Sequence, residues 1–295
     1  RPFRTPNYLK DSGLLQPGDF IVVRGGTYIL ADCTHNIQNG TWLRPIQNGT
    51  AAAPLTFMGY PGETVDVRHS QTIRLFAHYV SVSYWVVSNF KIILTDCLGT
   101  GEIVTLGIPV DPGVCQDTNF SGTQSGKASF IKVVNIEADG RDTAGFCSAR
   151  DSLVVAAYSE GVKLLGLSLH NTSPAQGDSE SAHVIYLSAR QRNTEVGWNA
   201  IYNIPATRAV IQVHQDSFGG VCWGTKQLTD IKIHDNLLHD LAGQAILLDG
   251  GTGDIQAYNN IIYNHKDHRY YDPISLRGNG GQLNASLYNN SVYAN

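Results

Sequence analysis

The C-terminal half of the sequence contains a repeat that constrains the fold more than any other feature. Four eight-residue segments align without gaps, and each has Asn at its fourth position and an apolar residue at its sixth. These segments are Val196–Asn203, Ile233–Asp240, Ala257–Asn264 and Leu287–Ala294. A repeat unit of this size cannot bury its apolar face alone, so the units are expected to stack on one another.

A second strand pattern occurs once in each repeat. Its second and fourth residues are apolar, which predicts strands with one inward and one outward face. The offsets between the corresponding isoleucines are 26, 35 and 28 residues (185 to 211, 211 to 246, 246 to 274), too irregular for a propeller or a leucine-rich repeat. Short strands joined by loops of variable length predict an all-β parallel β-helix, a single-domain solenoid of about ten coils with little helix. The four segments are Val184–Ser188, Val210–His214, Ala245–Asp249 and Pro273–Arg277.

Three further stretches resemble coils of the right-handed parallel β-helix, or pectin-lyase-like, superfamily: Leu15–Tyr28, Asn48–Glu63 and Tyr84–Ile92. The first looks like the first coil of such proteins, and the other two are similar to coils of polysaccharide lyases of the chondroitinase B and alginate lyase type. The resemblance implies a right-handed β-helix domain over residues 16–295, with residues 1–15 as an N-terminal segment or cap remnant. These motifs specify coils and not chemistry.

Composition excludes some classes of function. A net charge of −4 and a pI near 6.2 disfavour a nucleic-acid partner, and no apolar run is long enough for membrane insertion. Five cysteines show no metal-binding spacing, although a disulfide between Cys97 and Cys115 would close a loop rich in Gly and Pro. Together with six Asn-x-Ser/Thr sequons, this favours a secreted, extracellular glycoprotein. The sequons are at Asn39, Asn48, Asn119, Asn171, Asn284 and Asn289.

The repeat also separates structural polar residues from candidate functional ones. The Asn column (Asn199, Asn236, Asn260, Asn290) keeps one residue type in every coil, which is typical of a structural ladder. By contrast, the last outward position of the second strand changes on successive coils. It is occupied by Ser188, His214, Asp249 and Arg277, and the outward position two residues earlier by Tyr186, Gln212, Leu247 and Ser275.

Stacked coils would bring a base, a carboxylate and a guanidinium to roughly 5 Å from one another, close enough to act together. β-Elimination on a uronic-acid polymer requires a base and a cation that neutralises the substrate carboxylate. His214 is the predicted base and Arg277 the group that neutralises the substrate carboxylate. Asp249 either orients His214 or binds calcium together with Asp216. Tyr186 or Tyr271 would return a proton to the leaving oxygen. An ordinary charged surface row is the competing interpretation.

Two loops flank this row, residues 215–225 and 264–272, and they suggest a groove for an acidic polysaccharide. Their cations and rings suit an anionic sugar, although a solvated loop explains them equally well. The predicted substrate-binding residues are Gln212, Trp223, His265, Lys266, His268, Arg269 and Tyr271.

Two classes of function remain. Motifs of other members of the superfamily are absent, since the chain has no Asp-Asp pair, no Gly-His-Gly, no Asp-Pro-His-Glu and no Arg-x-Pro-x-x-Arg. Hydrolysis by paired carboxylates is therefore poorly supported. The leading hypothesis is a monomeric polysaccharide lyase. The alternative is a non-catalytic protein, either a filament, sheath or surface-layer subunit that assembles end to end, or a sugar-binding module.

Overall fold

The structure is a computed structural model that describes most of the chain. The described residues are 6, 8–9, 13–29, 41–70, 74–77, 81–96, 103–107, 127–142, 145–146, 153–171, 183–205, 208–214, 228–266, 272–278 and 283–293. All five cysteines fall outside these ranges, and so does the predicted Cys97–Cys115 disulfide.

Every element that the described residues form with defined bounds is a β-strand. The strands are β1 Phe20–Val23, β2 Gly26–Ile29, β3 Thr41–Leu43, β4 Leu55–Gly59, β5 Val65–Ser70, β6 Arg74–Ala77, β7 Val82–Asp96, β8 Val104–Leu106, β9 Ala128–Asp139, β10 Arg141–Asp142, β11 Gly145–Phe146, β12 Val154–Glu160, β13 Lys163–Leu165, β14 Ser168–His170, β15 His183–Gly197, β16 Ala200–Ile204, β17 Ala209–His214, β18 Leu228–His234, β19 Leu237–Ala242, β20 Gln244–Asp249, β21 Gly251–Tyr258, β22 Ile261–Lys266, β23 Ile274–Arg277, β24 Leu283–Tyr288 and β25 Ser291–Tyr293. Among these residues there is no apolar helix of membrane-spanning length.

The strands form three parallel stacks, and the chain visits each stack once per coil. The first stack contains β1, β4, β7, β9, β12 with β13, β15, β18, β21 and β24. The second contains β2, β5, β7, β9, β14, β16, β19, β22 and β25. The third contains β3, β6, β8, β12, β15, β17, β20 and β23. The long strands β7, β9, β12 and β15 bend from one stack into the next.

This topology confirms the prediction of an all-β parallel β-helix. The first stack has nine rungs within the described ranges. One departure from the parallel arrangement among these residues is the short antiparallel pair of β10 and β11. The register of the third stack aligns Ile185, Ile211, Ile246 and Ile274, as the sequence repeat predicts.

The apolar core lies between the three stacks and consists of buried apolar side chains for most of its length. Ile185, Ile211 and Ile246 are fully buried. In the last rungs two other inward columns are open, since Leu276 is 48% exposed and Val292 46%. At the other end Leu9 and Leu15 are buried against the core. Inward residues in the repeat are therefore buried wherever a further rung covers them.

The predicted Asn ladder is present. The side-chain nitrogen of each Asn donates to the side-chain oxygen of the next, at 2.9 Å from Asn199 to Asn236, from Asn236 to Asn260 and from Asn260 to Asn290. Each nitrogen also donates to a backbone carbonyl, and each acceptor Oδ1 receives the backbone N–H of the preceding ladder Asn. The ladder is a structural device, because its hydrogen bonds are satisfied between coils.

Asn or Asp residues four positions after the ladder Asn have a left-handed backbone conformation within β16, β19 and β22. Asn203, Asp240 and Asn264 have φ of 54°, 55° and 49°, in the left-handed region that Asn and Asp tolerate better than most residues. The side chain of Asn203 donates to Asn171 Oδ1 at 2.5 Å, and that of Asn264 donates to Asp240. The last position of the repeat is thus explained by backbone geometry.

Candidate active site

The variable outward row of the third stack is aligned as the sequence predicts. In the strand register Ser188 lies opposite His214, His214 opposite Asp249, and Asp249 opposite Arg277. The second outward column, Tyr186, Gln212, Leu247 and Ser275, is in register in the same way. Inward isoleucines, valines and leucines alternate with both columns, so packing of the core fixes the outward direction of these side chains.

His214 and Asp249 form the polar centre of this row. His214 Nδ1 lies 3.1 Å from Asp249 Oδ2, across the contact of β17 and β20. The side chain of His214 is 17% exposed, whereas that of Asp249 is completely buried. A buried carboxylate on Nδ1 holds the imidazole in one orientation and favours a proton on that nitrogen. This arrangement suits a general base whose imidazole is partly exposed to solvent and is oriented by a buried carboxylate.

The ring of Tyr186 lies near two histidines. Its centroid is 4.9 Å from that of His183, at an interplanar angle of 20°, and 6.2 Å from that of His214. Because His183 stacks on a face of the ring, that face is not available to a sugar. This contact favours the proton-donor role predicted for Tyr186 over an aromatic platform.

Arg277 closes the row on β23. Its side chain is half-buried and makes no ion pair within 4.0 Å with any residue that the structure describes. A guanidinium presents a planar fork of donors that fits a carboxylate. Arg277 therefore lies on the coil next to Asp249 and can bind an anionic ligand through its guanidinium.

The outward face of the third stack is covered over much of its area. Gln212, Leu247 and Asp249 point away from the core, yet all three are buried. Partial exposure remains at Tyr186, His214, Ser275 and Arg277. The accessible part of the row thus contains the predicted base, the predicted cation and the predicted proton donor.

The other predicted ligand-binding residues are not brought to this row by the described structure. His265 lies on β22 in the second stack, where its Nε2 contacts the backbone oxygen of Gly243. Lys266 ends the same strand opposite Ala242, and its side chain is not described. Trp223, His268, Arg269, Tyr271 and the predicted calcium ligand Asp216 lie outside the described residues.

The predicted calcium site gains no support from the part of the chain that the structure describes. No group of three or more His, Cys, Asp or Glu side chains there could hold a metal ion. Asp249 is engaged with His214 instead. Of its two predicted roles, the orienting role is the one that this contact favours.

Sequence reasoning missed two members of the site, His183 and Gln244. Both occupy the column that starts β15, β17 and β20, where Ala209 lies between them. His183 stacks on Tyr186, and the side-chain nitrogen of Gln244 donates to Ser275 Oγ at 2.5 Å. Extending the repeat alignment by one residue towards the N-terminus would have found this column.

A further column of rings runs along the second stack. His170, Tyr202, His239 and Tyr263 stack nearly parallel in the second stack, with centroid distances of 4.7, 5.0 and 4.7 Å. His239 pairs with Asp240 through Nδ1 at 2.6 Å, much as His214 pairs with Asp249. These side chains repeat along the helix axis and provide an internal comparison for the candidate site.

In the first stack His234 lies between two carboxylates. Its Nε2 is 3.2 Å from Glu195 and its Nδ1 is 2.8 Å from Asp235, while Lys163 contacts the other oxygen of Glu195. Burial raises the pKa of Glu195, but the hydrogen bonds and charges of Lys163 and His234 outweigh it and hold the pKa below its ordinary 4.5. This cluster ties three successive coils together.

The sequons differ in accessibility. Asn48, Asn284 and Asn289 are exposed, whereas Asn171 is buried and its side-chain nitrogen donates to Asp139 at 2.7 Å. Asn39 and Asn119 lie outside the described residues. Asn171 is thus poorly suited to carry a glycan, because its nitrogen is engaged inside the protein.

No protein-family model and no curated protein sequence matches the chain. Solved structures with a similar backbone include a rhamnogalacturonan lyase, 11% identical, covering 99% of this chain and 83% of that one at a TM-score of 0.49. An alginate lyase from Paenibacillus sp. str. FPU-7 is 14% identical, with 98% and 96% covered and a TM-score of 0.43.

A mutant tailspike protein of E. coli bacteriophage HK620, in complex with a pentasaccharide, is 11% identical. It covers 95% of this chain and 50% of that one, at a TM-score of 0.43. Similarity at this level concerns the course of the backbone and says nothing about side chains in the row.

Proposed function

We propose that the protein is a secreted polysaccharide lyase that cleaves a uronic-acid polymer by β-elimination at the His214 row. The observation that carries this proposal is the His214–Asp249 pair, 3.1 Å apart on an outward face, with Arg277 on the next coil and Tyr186 on the preceding one. An accessible imidazole on a buried carboxylate is a suitable general base.

The reaction begins at the proton on C5, next to the carboxylate of the uronate. With Nδ1 protonated and bonded to Asp249, Nε2 of His214 takes that proton. The electron pair forms the C4=C5 double bond and the C4–O bond breaks. Tyr186 donates a proton to the leaving oxygen. Arg277 pairs with the carboxylate and stabilises the negative charge that develops on it.

Ultraviolet absorbance tests this function directly. Polymers of mannuronate, guluronate and galacturonate are incubated with the protein, with calcium and then with a chelator, and the new C4=C5 bond is followed. We expect absorbance to rise with at least one polymer. The chelator arm decides whether calcium, through Asp216 and Asp249, takes part.

Variants then assign the activity to the row. His214→Ala is expected to lower kcat by about 10²- to 10⁴-fold. His239→Ala is the matched control, because His239 has the same Asp contact and similar exposure on another stack. Unchanged turnover in both His214→Ala and Arg277→Ala would contradict the proposal.

A second candidate, a self-assembling structural subunit, is favoured by one observation. The last rungs expose apolar side chains, among them Leu276, Leu287 and Val292, that lie in columns buried elsewhere. Sedimentation velocity over a range of concentrations tests this alternative. A subunit of this kind would form concentration-dependent oligomers that Val292→Asp disrupts, whereas a monomeric lyase would sediment as one species.

A further inference from the structure

Two buried glutamines on neighbouring strands differ in the hydrogen bonds of their side chains. Gln191 is fully buried, and its side chain is bonded within the chain: Nε2 donates to the backbone oxygen of Ala156, and Oε1 accepts from Thr194 Oγ1 at 2.9 Å. Gln212 is 1% exposed, yet its Oε1 has no hydrogen-bond partner among the described residues.

The location of Gln212 distinguishes it from an ordinary packing defect. It lies on the outward face of β17, two residues before His214 and opposite Tyr186 on the preceding coil. Gln244, at the start of the next strand of the stack, is equally buried, and its Oε1 also lacks a partner in the described part of the chain. Two amide oxygens without partners therefore belong to the same covered face as the His214–Asp249 pair.

A buried amide oxygen without a hydrogen bond costs about 1–3 kcal/mol. An apolar side chain of similar size would avoid that cost. A buried polar atom without a partner requires an explanation, and a role at a functional site is one of them. A carbonyl oxygen accepts from hydroxyl or N–H donors and repels a carboxylate, so the missing partner is a hydrogen-bond donor and not an acidic group.

We infer that Gln212 and Gln244 are specificity residues that accept hydrogen bonds from hydroxyl groups of the bound saccharide. This inference rests on the proposed function and adds an orientation to it. The hydroxyl-bearing edge of a sugar unit approaches Gln212 between Tyr186 and His214, and the carboxylate lies towards Arg277 on β23. The row thus distinguishes the two polar sides of a uronate.

The inference makes two measurable claims, one on stability and one on binding. Gln212→Met, which keeps the size and loses the amide, leaves the unfolding temperature unchanged or raises it. Gln191→Met, the matched control, lowers it, because the amide of Gln191 is bonded within the chain. A drop in Gln212→Met as large as that in Gln191→Met would overturn the inference.

Binding is measured by calorimetry in a His214→Ala background, so that no turnover occurs. The probes are hexasaccharides of mannuronate, guluronate and galacturonate, their carboxyl-reduced forms and neutral hexasaccharides. Gln212→Met is expected to weaken binding by about three- to tenfold, the effect of one hydrogen bond. Arg277→Ala weakens only the acidic forms, whereas Gln212→Met weakens acidic and reduced forms alike.

The outcomes separate this inference from the proposed function. Unchanged affinity in Gln212→Met would mean that buried water, and not a saccharide hydroxyl, completes the hydrogen bond of Gln212, and it would overturn the inference. Absence of saccharide binding at millimolar concentration would also overturn it. If saccharide binding depended on Gln212 but the wild-type protein produced no rise in ultraviolet absorbance with any polyuronate, the inference would stand and the lyase function would be rejected.

Discussion

The Asn ladder and the His214 row repeat with the same period along the same helix, but they differ in chemistry. The ladder keeps Asn on four coils, and each side chain is satisfied by the next one. The row changes from Ser188 to His214, Asp249 and Arg277, and Gln212 beside it retains an amide oxygen without a partner among the described residues. A polar residue type kept from coil to coil is typical of a structural ladder, whereas a base, a carboxylate and a cation on successive coils are the groups of a candidate site.

The largest expected effect is on stability and comes from the ladder. Asn236→Ala removes the acceptor of the Asn199 backbone and side-chain N–H groups and the donor to the Val196 carbonyl. Each buried group that loses its partner destabilises the fold by about 1–3 kcal/mol, so the free energy of unfolding should fall by about 3 kcal/mol or more. Equilibrium unfolding in urea measures this free energy.

Two controls sharpen this prediction. Asn290→Ala removes the same kinds of bond to Asn260 and Ala257. It should cost only about 1 kcal/mol, because Asn290 is half-buried in the last rung and water can replace part of what is lost. Arg277→Ala in the row should change stability by no more than about 0.5 kcal/mol. If all three variants lost the same stability, the distinction between ladder and row would be wrong.

The next effect is on activity and comes from the carboxylate behind His214. Asp249→Asn keeps the side-chain size and removes the charge that orients the imidazole. We expect kcat to fall by about 10- to 100-fold, with KM unchanged.

Asp240→Asn is the matched control for this change, because Asp240 contacts His239 through the same pair of atoms. It should leave kcat unchanged. A fall in kcat of similar size in Asp240→Asn would indicate that Asp249 contributes to the fold and does not orient His214.

The regular part of the fold was predictable from sequence because its determinants are local and periodic. Alternation predicts that Ile211 and Val213 point inward, and the constant Asn predicts the ladder. The register of the row follows from the same alignment. Burial of Leu247 and Asp249 on the outward face was not predictable, because strand alternation gives the direction of a side chain and not what covers it. The stacking of His183 on Tyr186 depends on ring geometry, which no residue pattern encodes.

The smallest expected effect concerns acid stability and comes from the first stack. The pKa of Glu195 is held below 4.5 by Lys163 and His234, so its contribution to stability is present above pH 4.5 and is lost as pH falls through the lowered value. Glu195→Gln removes a contribution of less than about 1 kcal/mol, and its unfolding temperature should therefore fall less steeply below pH 4.5 than that of the wild type. Asp254→Asn, at an exposed position on β21, controls for the loss of one acidic group. If the unfolding temperatures of wild type and Glu195→Gln fell in parallel below pH 4.5, the ionic contacts between Glu195 and His234 would contribute nothing to acid stability. Stacking of His234 on Tyr258, with ring centroids 5.0 Å apart, would then join these coils instead.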